Sequence, residues 1–519
     1  MHTHIPPATR RDALSVLESV FGYSAFRGQQ ADIVAHIIAG GNAFVLMPTG
    51  GGKSLCYQVP ALVRDGVTVV ISPLIALMQD QVDALKRRGV RAELLNSTLT
   101  HDAAARIERS VRGGETKLLY ISPERLATAR CVRLLEQSDV ALFAVDEAHC
   151  ISEWGHDFRP EYLKLTVIAE RFPAVPRIAL TATADAHTRA EIVERLALDG
   201  ARTFISSFDR PNIRYAIADK RNERKQLLRF IRRHTGACGV VYCQSRDKVD
   251  EIAAFLDASG VDALPYHAGL SAREREDNQA WFIAKRGIVM VATIAFGMGI
   301  DKPDVRFVAH LDIPKSIEGY YQETGRAGRD GLPSDALLLY DARDAAPLLE
   351  RIKASSATEH HRRIQTLKLR AMVALCETRF CRRRHLLAYF GERSRACGKC
   401  DTCLSLPDKQ RSRVRGAKKP VRRSRRLDAA GESLFARLFA WRADIAQREQ
   451  LPAHVVFHDA TLLEIARRRP RWRWTLGRIP GVSPAKLVVY GRDVLRVISA
   501  FEKEIEREAE HVQQAGSTI

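Results

Sequence analysis

The run Met47-Pro48-Thr49-Gly50-Gly51-Gly52-Lys53-Ser54 stands between a short apolar stretch and a helix-like one. Three consecutive glycines let the backbone bend closely around phosphate oxygens, and amide hydrogens at a helix start face an anion. Lys53 is placed to reach the β and γ phosphates and Ser54 to ligate Mg²⁺, with Thr49, Gly50, Gly51 and Gly52 forming the cradle. Met47 stands where the strict P-loop pattern has Gly, so taken alone the run is also compatible with a glycine hinge that holds no nucleotide. Val145-Asp146-Glu147-Ala148-His149, closing a strongly apolar stretch, supplies the second signal. One carboxylate there can hold Mg²⁺ while its neighbour polarises a water for in-line attack, so Asp146 takes the metal and Glu147 the general-base role. Further on, Gln322-Glu323-Thr324-Gly325-Arg326-Ala327-Gly328-Arg329 sets two arginines three apart, on one side if the segment is helical. Guanidinium groups spread charge and donate in pairs, which suits a developing phosphoryl transition state. Arg329 is the expected arginine finger, Arg326 a γ-phosphate contact and Gln322 a member of the same group. Together these pieces imply ATP and Mg²⁺; in isolation the arginines are also compatible with a surface turn.

Two other constellations carry different chemistry. Cys381, Cys397, Cys400 and Cys403 offer four thiolates, the donor set of a tetrahedral Zn²⁺ site, with a redox pair as the alternative. The other six cysteines lie scattered in apolar stretches, as small buried hydrophobes. In Ile151-Ser152-Glu153-Trp154-Gly155-His156-Asp157-Phe158-Arg159-Pro160, Trp154 and Phe158 provide π-faces and Arg159 a cation, on which unpaired bases stack without sequence preference. A buried aromatic cluster is the competing reading. Arg471-Trp472-Arg473-Trp474 alternates the same two residue types; packing of both tryptophans in a small core is favoured over a stacking platform.

The elements that must position these residues follow from periodicity. Short β-branched runs at 43–47, 67–72, 117–122, 141–147 and 177–183 alternate with amphipathic stretches, predicting a parallel sheet covered by helices. A second set at 239–243, 288–293, 305–312 and 336–340 predicts another α/β domain, joined through Asp209-Arg210-Pro211-Asn212. Beyond Tyr340 the sequence turns helical and Arg-rich up to the cysteines. Residues 408–426 are dense in Lys and Arg without an apolar face, an exposed tether, and from Leu427 helical periodicity returns.

With 519 residues the chain is long enough for roughly three to four domains. At 46% hydrophobic and 27% charged residues, wholesale disorder and disulfide scaffolds are excluded. Lys and Arg number 81 against 61 Asp and Glu, a formal charge of +20 that favours an anionic polymer or an anionic surface as partner. No secretory signal and no apolar run of the roughly 20 residues a bilayer span needs are expected, which points to the cytosol or nucleus.

These motifs, in this order, resemble the superfamily 2 DExH helicases, and their finer wording is similar to the RecQ family of DNA helicases over about Phe21 to Tyr340. The resemblance implies an α/β architecture of two tandem RecA-like parallel-sheet motor domains, a helical zinc-binding module and a small all-α C-terminal domain of the helicase-and-RNase-D (HRDC) type. The implied division is 1–207 and 208–342 for the motor, 343–406 for the zinc module, 407–426 for a linker, 427–510 for the helical domain and 511–519 for a tail. Phe21-Gly22-Tyr23 with Phe26-Arg27 and Gln30 looks like the family's adenine motif, Tyr23 stacking on the base and Arg27 and Gln30 bonding its edge; Gly28-Gln29 stands where relatives have Pro-Gly. Ser72-Pro73-Leu74, Gln79-Asp80-Gln81, Ser122 to Arg125, Ala179 to Ala184, Tyr242 to Arg246 and Ala292 to Asp301 match further motifs that line DNA or couple it to ATP. The spacing of Cys381, Cys397, Cys400 and Cys403 matches the family's zinc module, implying a structural ion.

The resemblance implies ATP-dependent 3′-to-5′ unwinding of tailed duplexes by translocation on single-stranded DNA, in recombination and repair. Implied partners are a single-strand-binding protein and repair factors, with no membrane, in a bacterial cytosol at the nucleoid. Only 23 residues separate Cys403 from Leu427, too few for the winged-helix domain that relatives place there. A DNA-stimulated translocase that unwinds poorly is therefore the alternative, and a non-catalytic scaffold a more distant one. Glu153 stands where relatives have Gln, adding charge beside the DNA path.

Overall fold

The structure, a computed structural model, describes residues 7–96, 99–155, 157–296, 302–405, 427–448, 456–457, 459–479, 481–482 and 484–516. The basic segment expected as a tether, His156 and the glycine-rich end of the 292–301 motif lie outside the described residues. The chain divides into two compact units, one of Met1–Asp344 with Ser356–His361, the other of Ala345–Ser355 with Arg362–Ile519.

The first unit contains two wholly parallel sheets. The first comprises β1 (Ala43–Leu46), β2 (Val67–Ile71), β3 (Ala92–Leu95), β4 (Leu118–Ile121), β5 (Val140–Val145), β6 (Arg177–Thr181) and β7 (Arg202–Ile205) in the order β3-β4-β2-β5-β6-β1-β7. The second comprises β8 (Ile213–Asp219), β9 (Cys238–Tyr242), β10 (Ala263–Tyr266), β11 (Val289–Ala292), β12 (Val305–His310) and β13 (Ser334–Tyr340) in the order β10-β11-β9-β12-β13-β8. Helices cover the strands, so the inner strands are buried on both faces and read as unbroken apolar runs such as Ala141-Leu142-Phe143-Ala144-Val145. Val45, Val70, Leu118, Ala144 and Ile178 join helix residues Ile33, Val34, Tyr57 and Val59 in one core. Val241, Val291, Phe307, Ala309 and Leu339 do the same in the second.

The nine strands expected from sequence are all interior; the four missed, β3, β7, β8 and β10, are the four sheet edges. Edge strands need not be apolar on both faces, and β10 contains Pro265, which a central strand could not accept without losing a ladder hydrogen bond. Residues 325–330 also depart from expectation: the helix Ile317–Thr324 ends before the arginines, which lie in turns with Gly328 at φ +58°.

The second unit is helical. Helices Ala345–Ala354, Glu359–Glu377 and Arg382–Tyr389 lead to the cysteines, and Ala429–Arg448, Asp459–Arg468, Arg473–Leu476 and Pro484–Gly516 form the C-terminal bundle. Leu438, Phe457, Leu462, Ile465, Leu476 and Ile498 make its core. The tryptophan expectation is overturned here: Trp472 is 64% and Trp474 60% exposed. Trp472 caps, and Trp474 lies within, the one-turn helix Arg473–Leu476, whose single inward position is taken by Leu476. Among the described residues no helix is long and apolar enough to cross a membrane.

Candidate nucleotide site and zinc centre

The glycine loop follows β1, an interior strand, and delivers the chain into helix Leu55–Val63, the strand-to-helix turn at which parallel sheets bind phosphate. Gly50 and Gly52 adopt φ of +79° and +76°, the left-handed region that side chains avoid. A Cβ on Gly51 would stand 2.9 Å from the Pro48 carbonyl oxygen, and one on Gly52 would overlap the Gln30 amide. That overlap reflects a clamp. Gln30 is buried; its Oε1 accepts the Arg27 backbone N–H at 2.8 Å, and its Nε2 donates to the carbonyls of Gly51 and Gly52 at 3.2 and 3.1 Å. The adenine-type segment is thus tied to the phosphate loop by one side chain. Gly28 takes φ +51°, so the departure from Pro-Gly is accommodated by a residue suited to a left-handed turn. Tyr23 is 45% exposed with the Arg27 guanidinium 5.9 Å from its ring centroid, leaving an aromatic face open beside a cation.

Lys53 donates to the Met47 carbonyl at 3.3 Å. Burial pushes its ammonium below the usual lysine range while the Glu147 and Asp146 carboxylates hold it up. Asp146, at the end of β5, is pushed up to about 7 by burial and by the neighbouring Glu147 charge, with Lys53 pulling the other way. Its Oδ1 accepts the Glu147 backbone N–H at 2.9 Å. Glu147 sits at φ +46°, a strained position for a residue with a Cβ. Its Oε2 lies 3.3 Å from His149 Nδ1, which in turn lies 2.9 Å from the Thr181 hydroxyl. Thr181 Oγ1 accepts the Thr183 N–H at 3.2 Å, so the acidic pair is linked through a buried imidazole to the Ala179–Ala184 segment. Sequence reasoning quoted His149 but gave it no role; its place after the acidic pair was the available signal.

The second sheet contributes the arginine loop. A Cβ on Gly50 would stand 3.0 Å from Arg329 Cγ, and one on Gly325 would stand 3.5 Å from Thr49 Cβ, so this loop lies against the phosphate loop. Arg326 is buried and bonds Tyr242, and Gln322 lies on the helix that leads into the loop. Arg210 was missed entirely. Its Nη1 donates to the carbonyls of Thr49 and Gly325 at 3.2 and 2.9 Å, and its Nη2 to those of Ala327 and Gly328 at 2.8 and 3.0 Å. One guanidinium in the inter-sheet connection therefore fastens the phosphate loop to the arginine loop.

Several buried polar atoms here have no hydrogen-bond partner: Thr49 Oγ1, and Nε and Nη1 of Arg326. Such groups are costly to bury unless something pairs them, and donors around a phosphate-binding loop fit a triphosphate. The Ser54 hydroxyl and the Asp146 carboxylate are the hard oxygen donors that Mg²⁺ takes.

The aromatic loop is folded inward. Trp154 is 7% exposed, with its ring 4.9 Å from His187 and 5.7 Å from His360. Phe158 is half-buried with its ring 6.1 Å from that of His361. Arg159 donates from Nε and Nη2 to Asp157 Oδ2 at 3.2 and 3.1 Å and from Nη1 to the Pro73 carbonyl at 3.1 Å. These three side chains are packed and paired, covered by imidazoles from two other segments.

In the second unit the ligand atoms of Cys381, Cys397, Cys400 and Cys403 all lie within 4.8 Å of one another. Cys400 Sγ and Cys381 Sγ are 3.8 Å apart, the separation expected of thiolates on a tetrahedral ion with Zn–S bonds of about 2.3 Å. Backbone N–H groups of Cys397 and Cys400 point at the sulfurs of Cys381 and Cys397, 3.2 and 3.3 Å away, which favours thiolate charge. Arg382 braces the cluster, donating to Asp401 and, from Nη1, to the carbonyls of Leu375 and Cys376 at 2.7 and 2.8 Å.

Two parallel sheets that meet at a phosphate loop, with arginines from the second facing the first, define a helicase-type motor. The chain matches the DEAD/DEAH box helicase family over residues 27–192 and the helicase conserved C-terminal domain over 222–331. It also matches the RecQ zinc-binding family over 342–404 and the HRDC domain over 431–498. Among solved structures, the DUF1998 helicase MrfA bound to DNA aligns with a TM-score of 0.54 at 17% identity, covering 65% of this chain and 52% of that one. Dbp5 of S. cerevisiae, bound to RNA and ADP BeF3, aligns at 0.52 and 15% identity over 68% and 97%. These likenesses establish the fold. The ATP-dependent DNA helicase RecQ of Haemophilus influenzae is 50% identical over 398 residues, 76% of this chain and 64% of that protein. RecQ of Pasteurella multocida is 38% identical over 598 residues, 95% of this chain and 94% of the relative. The chain belongs to the RecQ family of ATP-dependent DNA helicases. Since 95% of 519 residues is fewer than 500, roughly a hundred positions of the longer alignment face no residue of this chain.

Proposed function

We propose that this chain hydrolyses ATP to move 3′ to 5′ along single-stranded DNA and thereby opens duplexes that carry a 3′ tail. The observation that carries the reading is the meeting of the phosphate loop, the acidic pair and the arginine loop in one cleft, with Arg210 fastening two of them. Gly50, Gly51 and Gly52 cradle phosphate oxygens through their amides, and Lys53 neutralises the outer phosphates. Tyr23 stacks on the base, and Arg27 and Gln30 fix its edge. Mg²⁺, held by Ser54 and Asp146, screens phosphate charge when bound. Glu147 orients the attacking water and accepts its proton, and the strained backbone and His149 hold that carboxylate in place. Arg326 and Arg329 pair with charge that builds on the transferred phosphoryl group, and Gln322 completes the group.

The DNA side follows from the same unit. The Glu147-His149-Thr181 link connects the hydrolytic residues to a segment that borders the aromatic loop, so occupancy of one site can be felt at the other. Trp154, Phe158 and Arg159 contact the unpaired strand once their covering imidazoles move aside. The test compares unwinding of 3′-tailed and 5′-tailed duplexes with ATP hydrolysis recorded in the same tubes and Lys53→Ala as inactive control. Unwinding confined to the 3′-tailed substrate and lost in Lys53→Ala is expected. Equal opening of both substrates overturns the polarity; DNA-stimulated hydrolysis with neither opened overturns unwinding by this chain alone.

A further inference from the structure

Helix Leu55–Val63, which leaves the phosphate loop, buries a polar side chain in a place where an apolar one would be cheaper to desolvate. Gln58 is 4% exposed and stands between Tyr57 and Val59, both members of the first sheet's core. A primary amide taken out of water has to find partners. Gln58 finds them on two different elements. Its Nε2 donates to Gln81 Oε1 at 2.8 Å, on helix Ile75–Arg87, and to the Tyr120 hydroxyl at 3.2 Å, in β4. The Tyr57 side chain bonds the same hydroxyl. Burial pushes both phenols above their usual range, so each keeps its proton.

The elements gripped in this way all reach the carboxyl edge of the sheet, where parallel sheets bind their ligands. The phosphate loop follows β1, and β4 turns at Ser122 into helix Pro123–Leu126. Helix Ile75–Arg87 follows β2 through Pro73, whose carbonyl accepts Arg159 of the aromatic loop at 3.1 Å. Beside Gln81 on that helix, Asp80 Oδ2 accepts Gln279 Nε2 at 3.2 Å, from the helix Ala272–Ala284 that covers the second sheet. One buried amide therefore joins the helix behind Lys53 and Ser54 to a helix that touches both the aromatic loop and the second sheet's layer. This path runs through the interior of the first sheet, apart from the Glu147-His149-Thr181 link.

We propose that Gln58 is a positioning residue for DNA-stimulated hydrolysis, its amide passing movement of the phosphate-loop helix to helix Ile75–Arg87 and to the turn at Ser122. The proposal rests on the DNA reading above. The test uses the full chain, with hydrolysis followed without DNA and across an oligo(dT) titration. Affinity for oligo(dT) is measured with and without a non-hydrolysable ATP analogue. Gln58→Met keeps an unbranched side chain of similar length but has no amide. Its DNA-free hydrolysis and its KM for ATP are expected to stay within about twofold of wild type, while the rate at saturating oligo(dT) falls by about tenfold, the scale of one buried hydrogen bond lost from the stimulated state. The factor by which the analogue changes oligo(dT) affinity should shrink toward one, since a broken relay removes coupling free energy between the two sites. Tyr120→Phe, which removes one hydroxyl, should shrink the same factor, and it carries the test if Gln58→Met does not fold. Gln81→Met added to Gln58→Met should lower stimulation no further.

Wild-type stimulation and an unchanged affinity factor in the folded variants overturn the proposal. So does an equal fall of the DNA-free and DNA-stimulated rates, which would make Gln58 a prop for the phosphate loop alone. A wild-type chain that hydrolyses ATP equally fast with and without DNA refutes the DNA reading and the relay with it, whereas stimulation present in wild type and kept in the variants refutes the relay alone.

Discussion

Asp146 carries a stability cost that follows from where it must act. The carboxyl is buried beside Glu147, and both effects push it up to about 7. In an unfolded chain such a group titrates near 3.9. Between those two values the folded state keeps a proton that the unfolded state has released, so folding stability falls as pH rises through the window and stays reduced above it. Asp146→Asn removes that penalty along with the metal ligand. The expected outcome is loss of hydrolysis together with a higher melting temperature than wild type at pH 8, without metal or nucleotide, the gap closing as pH falls toward 4. Equal melting at pH 8 would mean that the carboxylate is compensated in the folded state. At this scale the sequence was highly legible where a motif fixes residue type: Lys53, Asp146, Glu147, Arg326 and Arg329 all gather at one cleft. Arg210 was not legible, because its role is to donate to four backbone carbonyls, and carbonyls leave no trace in residue type. The two tryptophans misled for the opposite reason: an aromatic pair in a small domain suggests a core, and only the packing shows that Leu476 already fills the inward position.

Elements decide whether those residues meet. The interior strands were readable as apolar runs because both of their faces are covered, while every edge strand escaped, β7 and β10 having no continuous buried run. The connection between the sheets carries more energetic weight than its turn-like sequence suggests. Arg210 holds Thr49 on one side and Gly325, Ala327 and Gly328 on the other, and hydrogen bonds from a charged donor are worth about 1.5–3 kcal/mol each when the alternative is an unpaired buried group. Losing even one such increment from the assembled cleft corresponds to about tenfold in rate. Arg210→Ala should therefore lower kcat for ATP by about tenfold or more, with a smaller change in melting temperature than a core truncation gives. Arg210→Lys should not rescue it, since an ammonium cannot reproduce a planar fork that serves carbonyls on two sides. Full activity in Arg210→Ala would show that Asn212, which donates to Gly328 at 2.8 Å, suffices to hold the arginine loop.

At the scale of the whole molecule, two different kinds of stabilisation operate along one chain. The sheets of the first unit are held by extensive apolar cores and need no metal. Among the described residues, the apolar side chains grouped with the cysteine cluster of the second are Ala396 and the cysteines themselves, so apolar burial there contributes little and the bound ion must supply the cohesion. The order of modules was legible from motif order and charge. The cysteines divide along the same line and report on it. Cys56, Cys131, Cys150, Cys238 and Cys243 are buried in the first unit, and Cys381, Cys397, Cys400 and Cys403 share the cluster. In the metal-loaded protein none of these nine should react readily with a thiol reagent, because the first group is inaccessible and the second is ligated. Chelation should release about one zinc per chain and expose the four cluster thiols, while the five in the first unit stay protected and its melting transition persists. Zinc release with no new reactive thiols would mean that the cluster is held by the protein alone. Simultaneous exposure of all nine would mean that the motor cannot stand without the module, and that the two units fold as one.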